Sequence, residues 1–192
     1  MKEEKREIIR NAATQLFAEK GFENTTTRDI AKAANISNAS LYYYFDSKEE
    51  LLYQILDKEM SSGLELITEI DKSDIGLKEK LSKVLQIHTS SAVDYNKMKL
   101  LVIDQNSISQ KNKEDLKEKQ RDYVEKLIKI LDELKDNGEI VDIDTTVLAF
   151  AFFGMVSWAY RWYNPKGNIK PAELSEIFHQ IFTKGIYSEV SS

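Results

Sequence analysis

The sequence predicts an all-α protein. Two prolines and seven glycines in 192 residues leave long uninterrupted stretches, and apolar residues recur through most of them at three- and four-residue intervals. No internal repeat of solenoid length and no low-complexity linker interrupts the pattern. The length suits a small head joined to a larger body, with the division expected as 1–50 and 51–192.

Helix one is expected where Ile8, Ile9, Ala12, Ala13, Leu16 and Phe17 fall on one stripe, ending at Lys20-Gly21, because glycine takes the left-handed C′ conformation cheaply. Thr27 is expected to cap a short second helix, with Ile30, Ala31 and Ala34 turned inward and Arg28 and Lys32 outward. Asn35 tolerates a left-handed backbone and sits where Ala34-Asn35-Ile36 must turn. Ser37 then caps a third helix. Helix, tight turn, helix is the arrangement that inserts its second helix into a major groove.

On that third helix Leu41 and Phe45 lie one turn apart on the core side, so Asn38, Ser40, Tyr42, Tyr43 and Tyr44 spread over the remaining surface. A phenolic hydroxyl donates to a phosphate oxygen while its ring lies along sugar or a thymine methyl, and an asparagine amide pairs with adenine N6 and N7. Ser47 to Glu50 reads as a capping box opening a fourth helix, whose first amides and Lys48 suit a phosphate. Charge gives no support: the formal net charge is -5, and acids slightly outnumber bases between Met1 and Glu50. Position must supply what composition does not, and Lys2, Lys5, Arg6 and Arg10 are expected to cluster near Arg28 and Lys48.

The run TTTRDIAKAANISNASLYYYFDSKEELL, from Thr25 to Leu52, together with the preceding AATQLFAEKGFENTT, resembles the DNA-binding head of TetR-type transcriptional regulators. The resemblance implies that Thr27, Tyr42, Tyr44 and Lys48 hold the phosphate backbone, and that Arg28, Asn38, Ala39, Ser40 and Tyr43 meet bases. Two departures stand out. Asn35 and Ala39 replace glycines common in the family, and Asn38 replaces a frequent lysine, which makes the third helix less basic.

The fourth helix is expected to run past Leu56 and to break near Asp71 to Gly76. Leu77, Leu81, Val84, Leu85, His88, Ser91, Ala92 and Tyr95 then share one face of the next, and Leu116, Tyr123, Leu127, Ile130, Leu131 and Leu134 mark an amphipathic helix ending near Gly138. These helices could wall a chamber, with His88, Tyr95 and Tyr123 as candidate ligand residues. Val147 to Tyr163 is apolar on nearly every side, so one face of that helix is expected to meet a partner surface. Asn164-Pro165 stops it. Pro171 suits the first turn of a last helix, striped by Leu174, Ile177, Phe178, Ile181 and Phe182. Two helices from each subunit would make a four-helix dimer interface.

The same plan resembles TetR-type regulators, which implies a homodimer through the last two long helices, a double-stranded operator as partner and a small-molecule effector. Trp158 to Tyr163 followed by Asn-Pro-Lys-Gly resembles the branch that senses acyl-CoA thioesters in fatty-acid or steroid breakdown, and adds Phe152, Trp158, Arg161 and Trp162 to the candidate ligand residues. Each has a plainer reading beside it. His88 on an apolar stripe suits a core histidine, Arg161 suits a helix end reaching solvent or an acidic neighbour, and Phe152, Phe153, Trp158 and Trp162 suit core and dimer contacts. His179 is expected at a surface or interface.

Zero cysteines remove disulfides, thiolate zinc sites and cysteine nucleophiles together, which fits a reducing cytosol. MKEEKREIIR lacks the apolar core of a secretory signal, and the longest apolar stretch, Val147 to Tyr160, is short of a membrane span, so a cytoplasmic protein is expected. No H-E-x-x-H, G-x-S-x-G, G-x-x-x-x-G-K-[ST] or dinucleotide fingerprint points to an enzyme, and no cofactor or metal is expected. The alternative is a helical interaction protein that has lost DNA binding.

Overall fold

The computed structural model describes residues 2–92, 94–103, 107–164 and 166–186; within them the side chains of Ala92, Tyr95, Lys97, Val102, Ile103 and Tyr160 lie outside the description. All regular elements among the described residues are helices: α1 (Lys2–Lys20), α2 (Thr27–Ala33), α3 (Asn38–Tyr44), α4 (Lys48–Lys72), α5 (Leu77–Ala92), α6 (Tyr95–Ile103), α7 (Gln110–Asp136), α8 (Thr145–Ser157), α9 (Ala159–Trp162) and α10 (Pro171–Ile186). The chain divides into two compact units, one of residues 1–61 and 95–118, the other of 62–94 and 119–192. Helices α4 and α7 each contribute residues to both.

The first unit is built on Ile9, Ala13 and Phe17 of α1, which are fully buried with Ile30 of α2, Leu41 of α3 and Leu51 and Leu52 of α4. Ile8 turns outward instead of joining the stripe, because Ile9, Ala13 and Phe17 define a narrower face than the six apolar residues suggest. Gly21 takes φ +82° where α1 ends, as a C′ glycine does. The α2–α3 turn is closed by Asn35 at φ 54°, with Asn35 N donating to Lys32 O at 3.1 Å and Ile36 N to Ala31 O at 2.9 Å, the paired bonds of a Schellman motif. Ser37 caps α3 by accepting from Ser40 N at 3.0 Å. The cap of α2 is Thr26 rather than Thr27: its hydroxyl accepts from Asp29 N at 3.1 Å while Asp29 Oδ2 accepts from Thr26 N at 3.0 Å. The acid three residues on decides which threonine of the run closes the box. Helix α6 packs on α1, and Lys99 donates to the Ala18 carbonyl near the end of α1.

In the second unit α10 packs on α5 and α8, burying Leu174, Phe178, Phe182 and Ile186 with Leu81, Leu85, Phe152 and Val156. Helix α7 ends at a second Schellman turn, with Gly138 at φ +69° and Glu139 N donating to Leu134 O at 2.9 Å. Asp144 caps α8 through Val147 N at 3.0 Å. Two expectations change here. Tyr95 opens α6 rather than ending the face of α5, and its side chain lies outside the described residues. The apolar segment after Val147 is not one helix to Tyr163: α8 starts at Thr145 and closes at Ser157, a turn falls at Trp158, and the single-turn α9 follows.

Candidate nucleic-acid interface

The α2–turn–α3 unit presents a continuous surface because burial of Ile30, Ala31, Leu41 and Phe45 leaves the other faces free. Tyr43 is 71 % exposed and Tyr42 49 %, the most open large side chains of α3. Arg28 and Ala39 are exposed beside them, and Thr27, Asn38, Ser40, Tyr44 and Lys48 are half-buried. Tyr42 Oη and Thr27 Oγ1 are 3.3 Å apart, which links the two helices across the surface. Tyr43 and Tyr44 pack edge to face with ring centroids 5.0 Å apart. One polar atom stands out: Asn38 Oδ1 is buried without a hydrogen-bond partner.

The cations around this surface are not equivalent. Arg10 is buried and bonds Glu3 and Glu7, so it does not join the expected basic cluster; two carboxylates on its own helix face consume its charge. Arg6 donates to Tyr44 O at 2.8 Å and to Gln54, with its guanidinium 4.7 Å over the Phe45 ring. It therefore binds the carboxyl end of α3 to α1 and α4, a positioning task that sequence reading did not assign to it. Lys48 donates to Phe22 O at 2.7 Å and lies 4.1 Å over the Phe22 ring, with two ammonium protons left for another acceptor. Lys2 reaches the exposed side of α3, its ammonium 5.4 Å from the Tyr43 ring centroid.

The second unit gathers some of the candidate ligand residues and separates others. The His88 ring lies 5.9 Å from Tyr123, 5.4 Å from Phe152 and 4.8 Å from Phe153, and Phe152 reaches Phe182 at 5.3 Å. Burial among these rings pushes the His88 imidazole down to about 4 and the Tyr123 phenol up, so both are neutral near pH 7. His88 Nε2 and His179 Nε2 are buried without a partner. Phe153 and Phe182 complete the cluster; they were legible as apolar stripes but not as neighbours of His88, because the contacts join helices distant in sequence. Trp158, Arg161 and Trp162 lie apart from it and exposed, with the Arg161 guanidinium 4.7 Å over the Trp158 ring. Among the described residues no three His, Cys, Asp or Glu side chains gather as a metal set, and no helix is long and apolar enough to cross a membrane.

A capped helix, a Schellman turn and a second capped helix whose free face carries tyrosines, an asparagine and an arginine define a helix-turn-helix DNA-binding protein. The chain matches the model of bacterial regulatory proteins of the tetR family over residues 9–55 and the tetracyclin repressor-like C-terminal domain over residues 74–186. It is 31 % identical to the HTH-type transcriptional repressor KstR2 of Rhodococcus jostii, over 95 % of this chain and 90 % of that one. It is 30 % identical to the fatty acid metabolism regulator protein of Bacillus subtilis, over 94 % and 95 %. Among solved structures, AibR in complex with isovaleryl coenzyme A and operator DNA superposes with a TM-score of 0.80 at 22 % identity, over 92 % of this chain and 97 % of that one. The protein belongs to the TetR family of ligand-responsive, DNA-binding transcriptional regulators, which are not enzymes.

Proposed function

We propose that the protein is a homodimeric repressor that grips a palindromic operator through residues 1–50 and is released when a small molecule, an acyl-CoA thioester, binds within 51–192. The observation that carries the DNA part is the exposed Tyr42-Tyr43 pair beside Arg28 and Asn38 on a capped helix-turn-helix. Thr27, Tyr42, Tyr44 and Lys48 hold phosphates, and Arg28, Asn38, Ala39, Ser40 and Tyr43 face bases. Operator DNA sets the place of action in the cytoplasm.

The effector class is supported by the two relatives near 30 % identity, one a fatty acid metabolism regulator, and by the fold of AibR, which holds isovaleryl coenzyme A. The neutral cluster of His88, Tyr123 and Phe152 suits an acyl chain with one polar atom, and Arg161 with Trp158 and Trp162 suits the anionic end. The dimer seam is supported by an apolar face that the subunit leaves open: Val147, Phe150 and Trp158 of the α8 segment and Ile181 of α10 are each between 57 % and 59 % exposed.

The mechanism is a two-state dimer. DNA selects a head spacing of about 34–36 Å, one turn of the duplex, and the effector selects another. Linkage makes the effect mutual, so operator must weaken effector binding by the factor that effector weakens operator binding. The test is selection of bound duplexes from fragmented genomic DNA with the wild type and Tyr42→Ala at matched, moderate salt, followed by titration with acyl-CoA thioesters of increasing chain length. A palindrome recovered by the wild type alone and released by a thioester is expected. Failure of the wild type to select any duplex would sink the repressor reading, and release by no thioester would sink the effector class.

A further inference from the structure

We infer that Arg6 is a positioning residue for operator binding: from α1 it closes the carboxyl end of α3 and so fixes the tyrosine turn of the reading surface, without itself neutralising a phosphate. The inference rests on the repressor reading and adds a residue which that reading does not place at the DNA.

A helix of seven residues is too short to hold itself, so both ends of α3 need support from outside it. The amino end has the Schellman turn at Asn35 and the Ser37 cap. The carboxyl end lacks the usual devices. Its last turn holds no basic residue, and Phe45, which follows, is extended at φ -141° and ψ 127° rather than left-handed. Tyr42, Tyr43 and Tyr44 all lie in that last turn, so the rings proposed to meet DNA stand on the less protected end.

Arg6 supplies the missing closure. Its Nη1 donates to Tyr44 O at 2.8 Å and its Nη2 to Gln54 Oε1. Gln54 is itself held, because its Nε2 donates to Glu50 Oε1 at 2.6 Å one turn earlier on α4. The guanidinium carbon lies 4.7 Å from the centroid of the buried Phe45 ring. A cation is favourable at the carbonyl end of a helix, and two acceptors on separate helices suit a planar fork better than an ammonium. The Arg6 side chain is only 23 % exposed and its Nε lies 4.0 Å from Glu3, so the charge is used within the fold rather than offered to a duplex. Tyr44 passes the constraint on, through its edge-to-face contact with Tyr43.

The test compares full-length wild type, Arg6→Met and Arg6→Lys on the selected operator over a series of salt concentrations. Alongside it, hydrogen exchange without DNA follows the Phe45 amide, which donates to Leu41 O at 3.0 Å. Both variants should lose about 10- to 150-fold in operator affinity per half-site, the worth of a charge-assisted hydrogen bond. The slope of log affinity against log salt should match the wild type, since no phosphate contact is removed. The Phe45 amide should exchange faster in both, while the amides of Leu51 and Leu52 in the head's core keep their protection. Arg6→Lys keeps the charge and most of the stem, and carries the test if Arg6→Met fails to fold. A slope reduced by about one per head would make Arg6 a phosphate contact and overturn the inference. So would Arg6→Lys binding as the wild type does, or a Phe45 amide equally protected in all three proteins. Each of those results leaves the repressor reading standing, whereas a wild type that selects no operator overturns both.

Discussion

Among the described residues, exposed aromatic side chains fall in two regions, and the contrast between them lies in their polar atoms. On α3 the open rings are Tyr42 and Tyr43, each with a hydroxyl, set among Asn38, Ser40 and Arg28. Along α8, the turn after it and α9 they are Phe150, Trp158 and Trp162 in that order, with Val147, Ala151 and Gly154 exposed on α8. Phenols and amides can meet phosphate and base edges without losing hydrogen bonds, whereas phenylalanine beside valine and glycine recovers its exposure only against another apolar face. Exposure alone would class the two together; hydrogen-bonding capacity separates the proposed nucleic-acid surface from the proposed protein surface.

The contrast breaks most sharply with Phe150→Glu. In the proposed dimer a carboxylate facing its own copy across a two-fold seam is desolvated and repelled, so the variant should sediment as a monomer. Losing the second head removes the avidity of bivalent binding, and affinity for the full palindrome should fall about 10²- to 10⁴-fold while affinity for an isolated half-site holds. A variant that stays dimeric would place the seam elsewhere and leave the apolar face of α8 without its assigned partner.

Acid sharpens the contrast by a smaller amount. His88 sits behind α8 with Nε2 unpartnered, and burial holds its imidazole down to about 4. An unfolded histidine titrates near 6.5. Between those values the unfolded chain binds the extra proton, so stability is fully present above about pH 6.5 and is lost as the pH falls toward 4, by up to about 3 kcal/mol. Urea midpoints at pH 7 and pH 4.5 should separate less in His88→Phe than in the wild type. Equal acid slopes would show that the imidazole is not desolvated in the fold.

The head was more legible than the body for a physical reason. Its turns are made by residues next to each other: Gly21, Asn35 and Ser37 act through their own backbone or amides three residues away, and all three stand where expected. Arg10 shows the limit even there. Its partners Glu3 and Glu7 lie seven and three residues back on the same helix face, a spacing open to inspection, yet a basic cluster is easier to see than the acids that neutralise it. In the body the break at Trp158 has no glycine or proline to announce it, and α6 meets α1 through residues as far apart in the chain as Ala18 and Lys99. The His88 cluster draws rings from α5, α7, α8 and α10, which no local period reports. Tertiary contacts decide such sites, and a period records only which face is apolar.

The smallest effect divides labour within one tripeptide of the head. Thr25, Thr26 and Thr27 are chemically alike, but Thr25 Oγ1 is buried and donates to Gly21 O at 2.8 Å, Thr26 caps α2, and Thr27 meets Tyr42 on the open face. Thr26→Ala removes the hydroxyl that accepts from Asp29 N and should cost about 1 kcal/mol of stability. Thr27→Ala removes no cap, so its midpoint in urea should stay near that of the wild type while operator affinity falls. If the two variants lost stability equally, Thr27 would belong to the frame that supports the reading surface, and its place among the phosphate-holding residues would go.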